Sequence, residues 1–150
     1  MRVVIQRVKN ASVSIDNKLF SEINNGLLIL SGFENNDDTN DIEWLVKKIS
    51  QLRIFNDNDG LMNNSITDID GELLIVSQFT LHAKTKKGNR PSYIHAAKPD
   101  IAIALYNEFI RKFNVALPNK IKSGKFGADM QIELINDGPV TIIIDTKNKE

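Results

Sequence analysis

Two hydroxyl side chains, Ser77 and Thr80, follow the apolar run Leu73 to Val76, with Gln78 and Phe79 between them. Polar residues at the end of a strand, backed by a rigid sheet, are well placed to meet a ligand. Ser77 and Thr80 could donate hydroxyls there, and the backbone N–H groups of the segment could form an anion hole. The simpler reading is that Ser and Thr end a strand and satisfy its loose backbone groups. Spacing alone favours the simpler reading, because no Gly-x-Ser-x-Gly elbow surrounds either hydroxyl.

A second segment, Asn136-Asp137-Gly138-Pro139-Val140-Thr141, sits between two apolar stretches. Proline can hold a cis peptide at modest cost, and glycine before it removes the Cβ that would crowd the turn. Such a turn exposes backbone carbonyls with no side chain above them. On residue types alone, a plain hairpin turn is the preferred description. A third segment holds the one basic cluster of note, Lys84, Lys86, Lys87 and Arg90, with Lys98 nearby in sequence. It could hold phosphates, although charge runs are usually solvated loops. Gly124-Lys125-Phe126-Gly127 is a glycine-flanked turn whose Phe126 serves equally well as pocket wall or hydrophobic anchor.

Other chemistries find no support. The two histidines, His82 and His95, read as surface or loop residues. Without cysteine they do not make a zinc site, since a catalytic zinc usually takes three protein ligands. The absence of cysteine also excludes disulfides and a thiol nucleophile. No phosphate loop or dinucleotide fingerprint is present, so no cofactor is indicated. The formal net charge is zero, so any nucleic-acid or membrane partner must bind locally. The N-terminal apolar run is too short for a signal peptide and is broken by Arg7. The runs Leu27 to Leu30, Leu73 to Val76 and Ile142 to Ile144 fall far below the ~20 residues of a membrane span. The cytoplasm is the expected location, and the glycosylation-like Asn10-Ala11-Ser12 and Asn63-Asn64-Ser65 are read as coincidence.

These residues need a scaffold, and 150 residues suit one domain, 1–150. Residues 2–8 and 11–15 are rich in Val and Ile and predict two strands separated by Lys9 and Asn10. Leu27 to Ser31 predicts a buried strand. Asp38 or Thr39 can cap a helix whose Ile42, Leu45, Val46, Ile49 and Leu52 recur on one face. Residues 56–71 are a turn-rich connection, Leu73 to Phe79 a strand, and Ala83 to Pro99 a long loop. Pro99-Asp100 opens a second helix with Ile101, Leu105, Phe109 and Phe113 aligned. Strands at 129–135 and 140–145 close the chain. The result is an α+β fold with a mixed, largely antiparallel sheet and two helices.

Together the segments resemble the D-aminoacyl-tRNA deacylase (D-tyrosyl-tRNA(Tyr) deacylase) family. Ser77-Gln78-Phe79-Thr80-Leu81 is similar to its first signature and Asn136-Asp137-Gly138-Pro139-Val140-Thr141 to its second. Val4-Ile5-Gln6-Arg7-Val8, Ala11-Ser12-Val13, Arg53-Ile54-Phe55, Lys87-Gly88-Asn89-Arg90-Pro91 and Gly124-Lys125-Phe126-Gly127-Ala128-Asp129-Met130 extend the likeness from about Met1 to Asp145. Both signatures in order are far more specific than either alone.

The resemblance implies a barrel-like homodimer with active sites at the subunit interface, acting on aminoacylated tRNA. It implies that a Gly–cis-Pro turn, Gly138 and Pro139, enters the partner's pocket beside Ser77, Gln78, Phe79 and Thr80. A backbone wall there rejects L-residues, admits D-residues and lets glycine pass, including glycine mischarged on tRNA-Ala. Arg7 is a candidate to hold the turn, Phe126 to line the pocket, and Lys84, Lys86, Lys87 and Arg90 to bind tRNA. Thr80 is a candidate nucleophile, but no base lies near it in sequence. The alternative has N–H groups near Phe79 and Thr80 stabilise the oxyanion while the RNA 2′-hydroxyl assists. No metal or cofactor is implied. A non-catalytic tRNA or amino-acid binding module is the competing reading, and a purely structural dimer a third.

Overall fold

The computed structural model describes all 150 residues. Its strands are β1 (Arg2–Ile15), β2 (Lys18–Ile23), β3 (Gly26–Gly32), β4 (Phe55–Asn56), β5 (Met62–Asn64), β6 (Glu72–Ser77), β7 (Ile121–Ser123) and β8 (Gln131–Asp145). Two helices, α1 (Thr39–Gln51) and α2 (Pro99–Ala116), and a 3-10 turn at Phe79–His82 complete the fold. No helix is long and apolar enough to cross a membrane.

β1 is the spine of the sheet. It pairs antiparallel with β2 and then β3 along one edge, and with β8 along the other. The expected break at Lys9 and Asn10 is only a shift of register, since the ladder resumes at Asn10–Ile135 and both side chains face solvent. β2 escapes the apolar pattern because Leu19 and Phe20 lie exposed. Its hairpin uses Asp16 and Asn17 at φ 51° and 58°, the left-handed pair that two-residue turns require. β3, β6 and β7 run parallel to one another, with β7 too short and polar to announce itself. The order β2-β1-β3-β6-β7, with β8 on β1, makes the sheet mixed. Ser21 Oγ of β2 donates to the Ser123 carbonyl of β7 at 2.9 Å, so the sheet curls until its ends meet, barrel-like.

Parallel strands in such a sheet are covered on both faces, which is why β3 and β6 are continuously apolar. Leu27, Ile29, Leu73 and Ile75 point toward the helices. Leu28, Leu74 and Val76 point the other way, to Val8, Ala11, Val13 and Ile23. Asp38 caps α1, accepting from the N–H groups of Asn40 and Asp41, while Asp41 reaches back to the cap. Ile42, Leu45, Val46 and Ile49 are buried, as the spacing predicts. Each gains roughly 1.5–3 kcal/mol by leaving water, and this fixes a helix whose 13 residues would be marginal alone. In α2 the buried face is Ala102, Tyr106, Phe109 and Phe113, with Ile101 and Leu105 only half-buried at its margins.

The strand predicted to run through Phe79 ends at Ser77, and Phe79 begins the 3-10 turn. Residues 131–145 depart further from expectation. Both halves of β8 run antiparallel to β1, with Gln6 opposite Thr141 and Val8 opposite Asn136. Asn136 to Thr141 is therefore no hairpin. Asp137, Gly138, Pro139 and Val140 all stand opposite the single residue Arg7, so they must leave the ladder and project as a bulge.

Candidate active site

Ser77 stands at the end of β6 beside Ser31 of β3, and the Gln78 N–H donates to the Ser31 carbonyl at 2.7 Å. The chain then tightens into the 3-10 turn, closed by Leu81 N–H to the Gln78 carbonyl (3.3 Å) and Ala83 N–H to the Thr80 carbonyl (3.0 Å). The first N–H groups of a helical turn have no partner inside it, so those of Phe79 and Thr80 are disposed to receive an anion. Thr80 Oγ1 accepts from Gln78 Nε2 at 2.5 Å, and no histidine or carboxylate bonds to it.

A cavity of about 720 Å³ opens beside this turn. Ser77, Gln78, Phe79, Tyr93, Phe126 and Met130 are among its walls. Phe79 is 56% exposed and meets Tyr93 edge-on at 5.0 Å. Phe126 lines the cavity and also rests on Tyr106, with centroids 5.8 Å apart, so it is both wall and anchor. Tyr106 Oη donates to the Ile75 carbonyl at 2.8 Å and lies 3.3 Å from that of Gly124, tying the glycine turn to β6. Burial pushes the Tyr106 phenol well above its ordinary pKa, so it remains a neutral donor.

Arg7, Gly138 and Pro139 form a second group that is not part of the cavity wall. Arg7 is 6% exposed. Its Nε donates to the Asp137 carbonyl at 3.0 Å and lies 3.2 Å from Asp137 Oδ2, while Nη1 donates to the Ile54 carbonyl at 2.6 Å. This charged fork clamps the base of the bulge. The Gly138–Pro139 peptide is cis, and Gly138 has φ +125°. Both residues face solvent. The tip is thus bare backbone on a rigid footing.

Lys84, Lys86, Lys87 and Arg90 are all exposed on the loop that leaves the 3-10 turn, which is pinned by reciprocal hydrogen bonds between Lys84 and Ser92. Lys98, at the far end of that loop, borders the cavity. His82 corrects the expectation of a surface histidine. It is 4% exposed, its Nδ1 lies 3.7 Å from Glu34 Oε1, and its Nε2 has no partner. It is buried because it ends the tight turn against Gly32, where a Cβ would come within 3.1 Å of the His82 ring. Tyr93, Met130 and Asp137 escaped sequence reasoning as site residues. Tyr93 and Met130 are single apolar residues without periodicity, and Asp137 meets Arg7 through both its carbonyl and its carboxylate, a pairing across 130 positions that residue type does not reveal.

The family model described as D-Tyr-tRNA(Tyr) deacylase matches residues 4–145 of the chain. The D-aminoacyl-tRNA deacylase of Bacteroides fragilis (strain YCH46) is 61% identical over 150 residues, covering 100% of both chains. That of Flavobacterium psychrophilum is 60% identical, again over 100% of both. Among solved structures, the c-Myc DNA Unwinding Element Binding Protein superposes with a TM-score of 0.92 at 40% identity, covering 97% of this chain and 98% of that one.

Proposed function

The chain belongs to the D-Tyr-tRNA(Tyr) deacylase family and is an ester hydrolase acting on D-aminoacyl-tRNA, and we propose that it selects its substrate by backbone exclusion across a homodimer. The observation that carries this reading is the exposed Gly138–Pro139 tip, clamped by Arg7 yet outside its own chain's cavity. A rigid projection with no function in its own subunit suits the pocket of another. β8 adds support: it pairs only with β1, leaving its other edge free, and Ile135 lies exposed near the Gly138–Pro139 tip.

In the dimer, Gly138 and Pro139 of one protomer face Ser77, Gln78, Phe79 and Thr80 of the other. An L-aminoacyl group would drive its side chain into the Gly138–Pro139 backbone. A D-aminoacyl group points away, and glycine, including glycine mischarged on tRNA-Ala, has nothing to clash. Selection by an unyielding wall is rejection rather than attraction. The Phe79 and Thr80 N–H groups stabilise the oxyanion formed at the ester carbonyl. Thr80, its hydroxyl held by Gln78 and lacking a base, positions the substrate while the terminal ribose 2′-hydroxyl assists. Lys84, Lys86, Lys87 and Arg90 hold tRNA phosphates at the rim. No cofactor enters, and the reaction takes place in the cytoplasm, where aminoacyl-tRNA is used. Family membership at this identity favours an enzyme over a non-catalytic module.

Gly138→Ala tests the reading. A Cβ there would lie 2.9 Å from Val140 Cγ2 and 3.1 Å from Arg7 Nη2, at a φ few L-residues adopt. Hydrolysis of D- and L-tyrosyl-tRNA by wild type and variant is compared. Rapid release of the D-form alone by wild type, with discrimination altered in the variant, is the expected result. Unchanged discrimination in a folded variant overturns the backbone filter, and no turnover by wild type overturns the activity.

A further inference from the structure

Away from the cavity, α1 carries Trp44, the only tryptophan of the chain. Its ring is half-buried against the helix-side core, and Lys149 Nζ sits 4.5 Å and Lys48 Nζ 5.7 Å from its centroid. Two hollows, of about 560 and 390 Å³, share Trp44, Lys48 and Leu52 in their walls. Lys47, Lys48 and Lys149 are exposed, and none forms an ion pair with a carboxylate. The acids nearby are largely spoken for: Glu43 pairs with Lys112 and Asp145 with Arg2, leaving Glu150. A chain of zero net charge thus gathers an aromatic face and unpaired cations in one groove.

We propose that Trp44 is a stacking platform for an unpaired nucleotide of the substrate tRNA, with Lys47, Lys48 and Lys149 holding its flanking phosphates. The inference rests on aminoacyl-tRNA being the substrate. A planar ring among lysines matches single-stranded nucleic acid, whose bases stack on aromatic faces while cations track the backbone. A base on the ring replaces an exposed lysine, the weaker of the two contacts at such a site, and frees that lysine for phosphate. A single side chain, Arg2, links the larger hollow to the turn at Phe79–His82. Arg2 lines that hollow, and the same guanidinium donates to the Leu81 carbonyl at 2.7 Å, one residue beyond Thr80. Because Arg2 is held by Asp145, the cations open to an RNA backbone here are the unpaired lysines around Trp44.

Because Trp44 is the only tryptophan, its emission reports stacking directly. Titration of the full protein with uncharged tRNA is expected to quench that emission saturably, less so as salt rises. The double variant Lys47→Glu, Lys48→Glu is expected to shift the titration to higher tRNA concentration. Trp44→Leu keeps apolar packing and removes the stacking face. It is expected to raise KM for D-tyrosyl-tRNA about tenfold with kcat unchanged, and to leave hydrolysis of D-tyrosyl-adenosine, which cannot reach the groove, as in wild type. Trp44→Phe is expected to restore most of the loss. Unquenched emission at tRNA concentrations that saturate hydrolysis overturns the proposal. So does a Trp44→Leu defect equal for tRNA and adenosine esters, which signals a damaged fold, or a changed association state in sedimentation, which signals a face between copies. Failure of wild type to hydrolyse either ester counts against the enzymatic reading, while the fluorescence titration still decides the nucleotide platform.

Discussion

Replacing Arg7 with lysine keeps the buried charge and removes the planar fork. The guanidinium serves the Asp137 carbonyl at 3.0 Å, Asp137 Oδ2 at 3.2 Å and the Ile54 carbonyl at 2.6 Å, from a side chain only 7% exposed. An ammonium is a point donor and cannot meet the strand-side and bulge-side acceptors in the same geometry. Hydrogen bonds to a charged group contribute about 1.5–3 kcal/mol each, and a buried acceptor left unpaired costs about 1–3 kcal/mol more. With one arm of the clamp lost, Arg7→Lys is expected to destabilise the chain by about 3–5 kcal/mol. For a domain of this size that lowers Tm by roughly 6–20 °C, still within the margin of a typical native protein. The more telling assay is the ratio of D- to L-tyrosyl-tRNA hydrolysis below the new Tm. A loosened bulge no longer presents an unyielding wall, so the L-ester is expected to be hydrolysed faster while the D-ester rate changes little. Wild-type stability and ratio together would show that Arg7 does not hold the bulge. Lost stability with an unchanged ratio would leave the clamp intact and refute the bulge as the filter.

Thr80→Ala is expected to slow hydrolysis by no more than about a hundredfold, the scale of losing one positioning contact. A loss of ~10⁴ in single-turnover rate, with fold and tRNA affinity kept, would instead mark Thr80 as the nucleophile. Acid is expected to destabilise the protein through Asp41 and Asp145. Burial pushes each carboxyl up, but for Asp41 the Lys147 and Thr146 side chains, and for Asp145 Arg2 and the Lys147 N–H, outweigh it and hold each below the ordinary value of 3.8. A lowered folded-state pKa means this stability is complete above the unfolded carboxylate range and is lost as pH falls through the folded values. Denaturant midpoints measured between pH 7 and pH 2 should therefore fall mainly below about pH 4, and less steeply in Asp145→Asn. An equal slope in that variant would remove Asp145 from the explanation.

Much of the scaffold was legible because its signals are local. The helical spacing of Ile42, Leu45, Val46 and Ile49 and the cap at Asp38 need no distant partner to be read. The polar, exposed β2 and the three-residue β7 were not, since each exists only through the ladder that a neighbour offers. The two signature segments were visible by residue type, and so was Arg7. What Arg7 binds was not visible, because its main acceptors, the Ile54 carbonyl and the carbonyl and carboxylate of Asp137, lie 47 and 130 positions away in the chain.

The sequence by itself determined the chemistry on offer: no thiol, two hydroxyls after a buried strand, a Gly-Pro pair and a basic loop. It also determined the family, because two ordered signatures are improbable by chance. Tertiary structure alone decided that residues 131–145 are one strand rather than a hairpin, that His82 is buried, and that the Gly138–Pro139 tip stands apart from the cavity of its own chain. Residue type sets what a group can do. Register, which depends on every pairing of the sheet at once, sets where it does it.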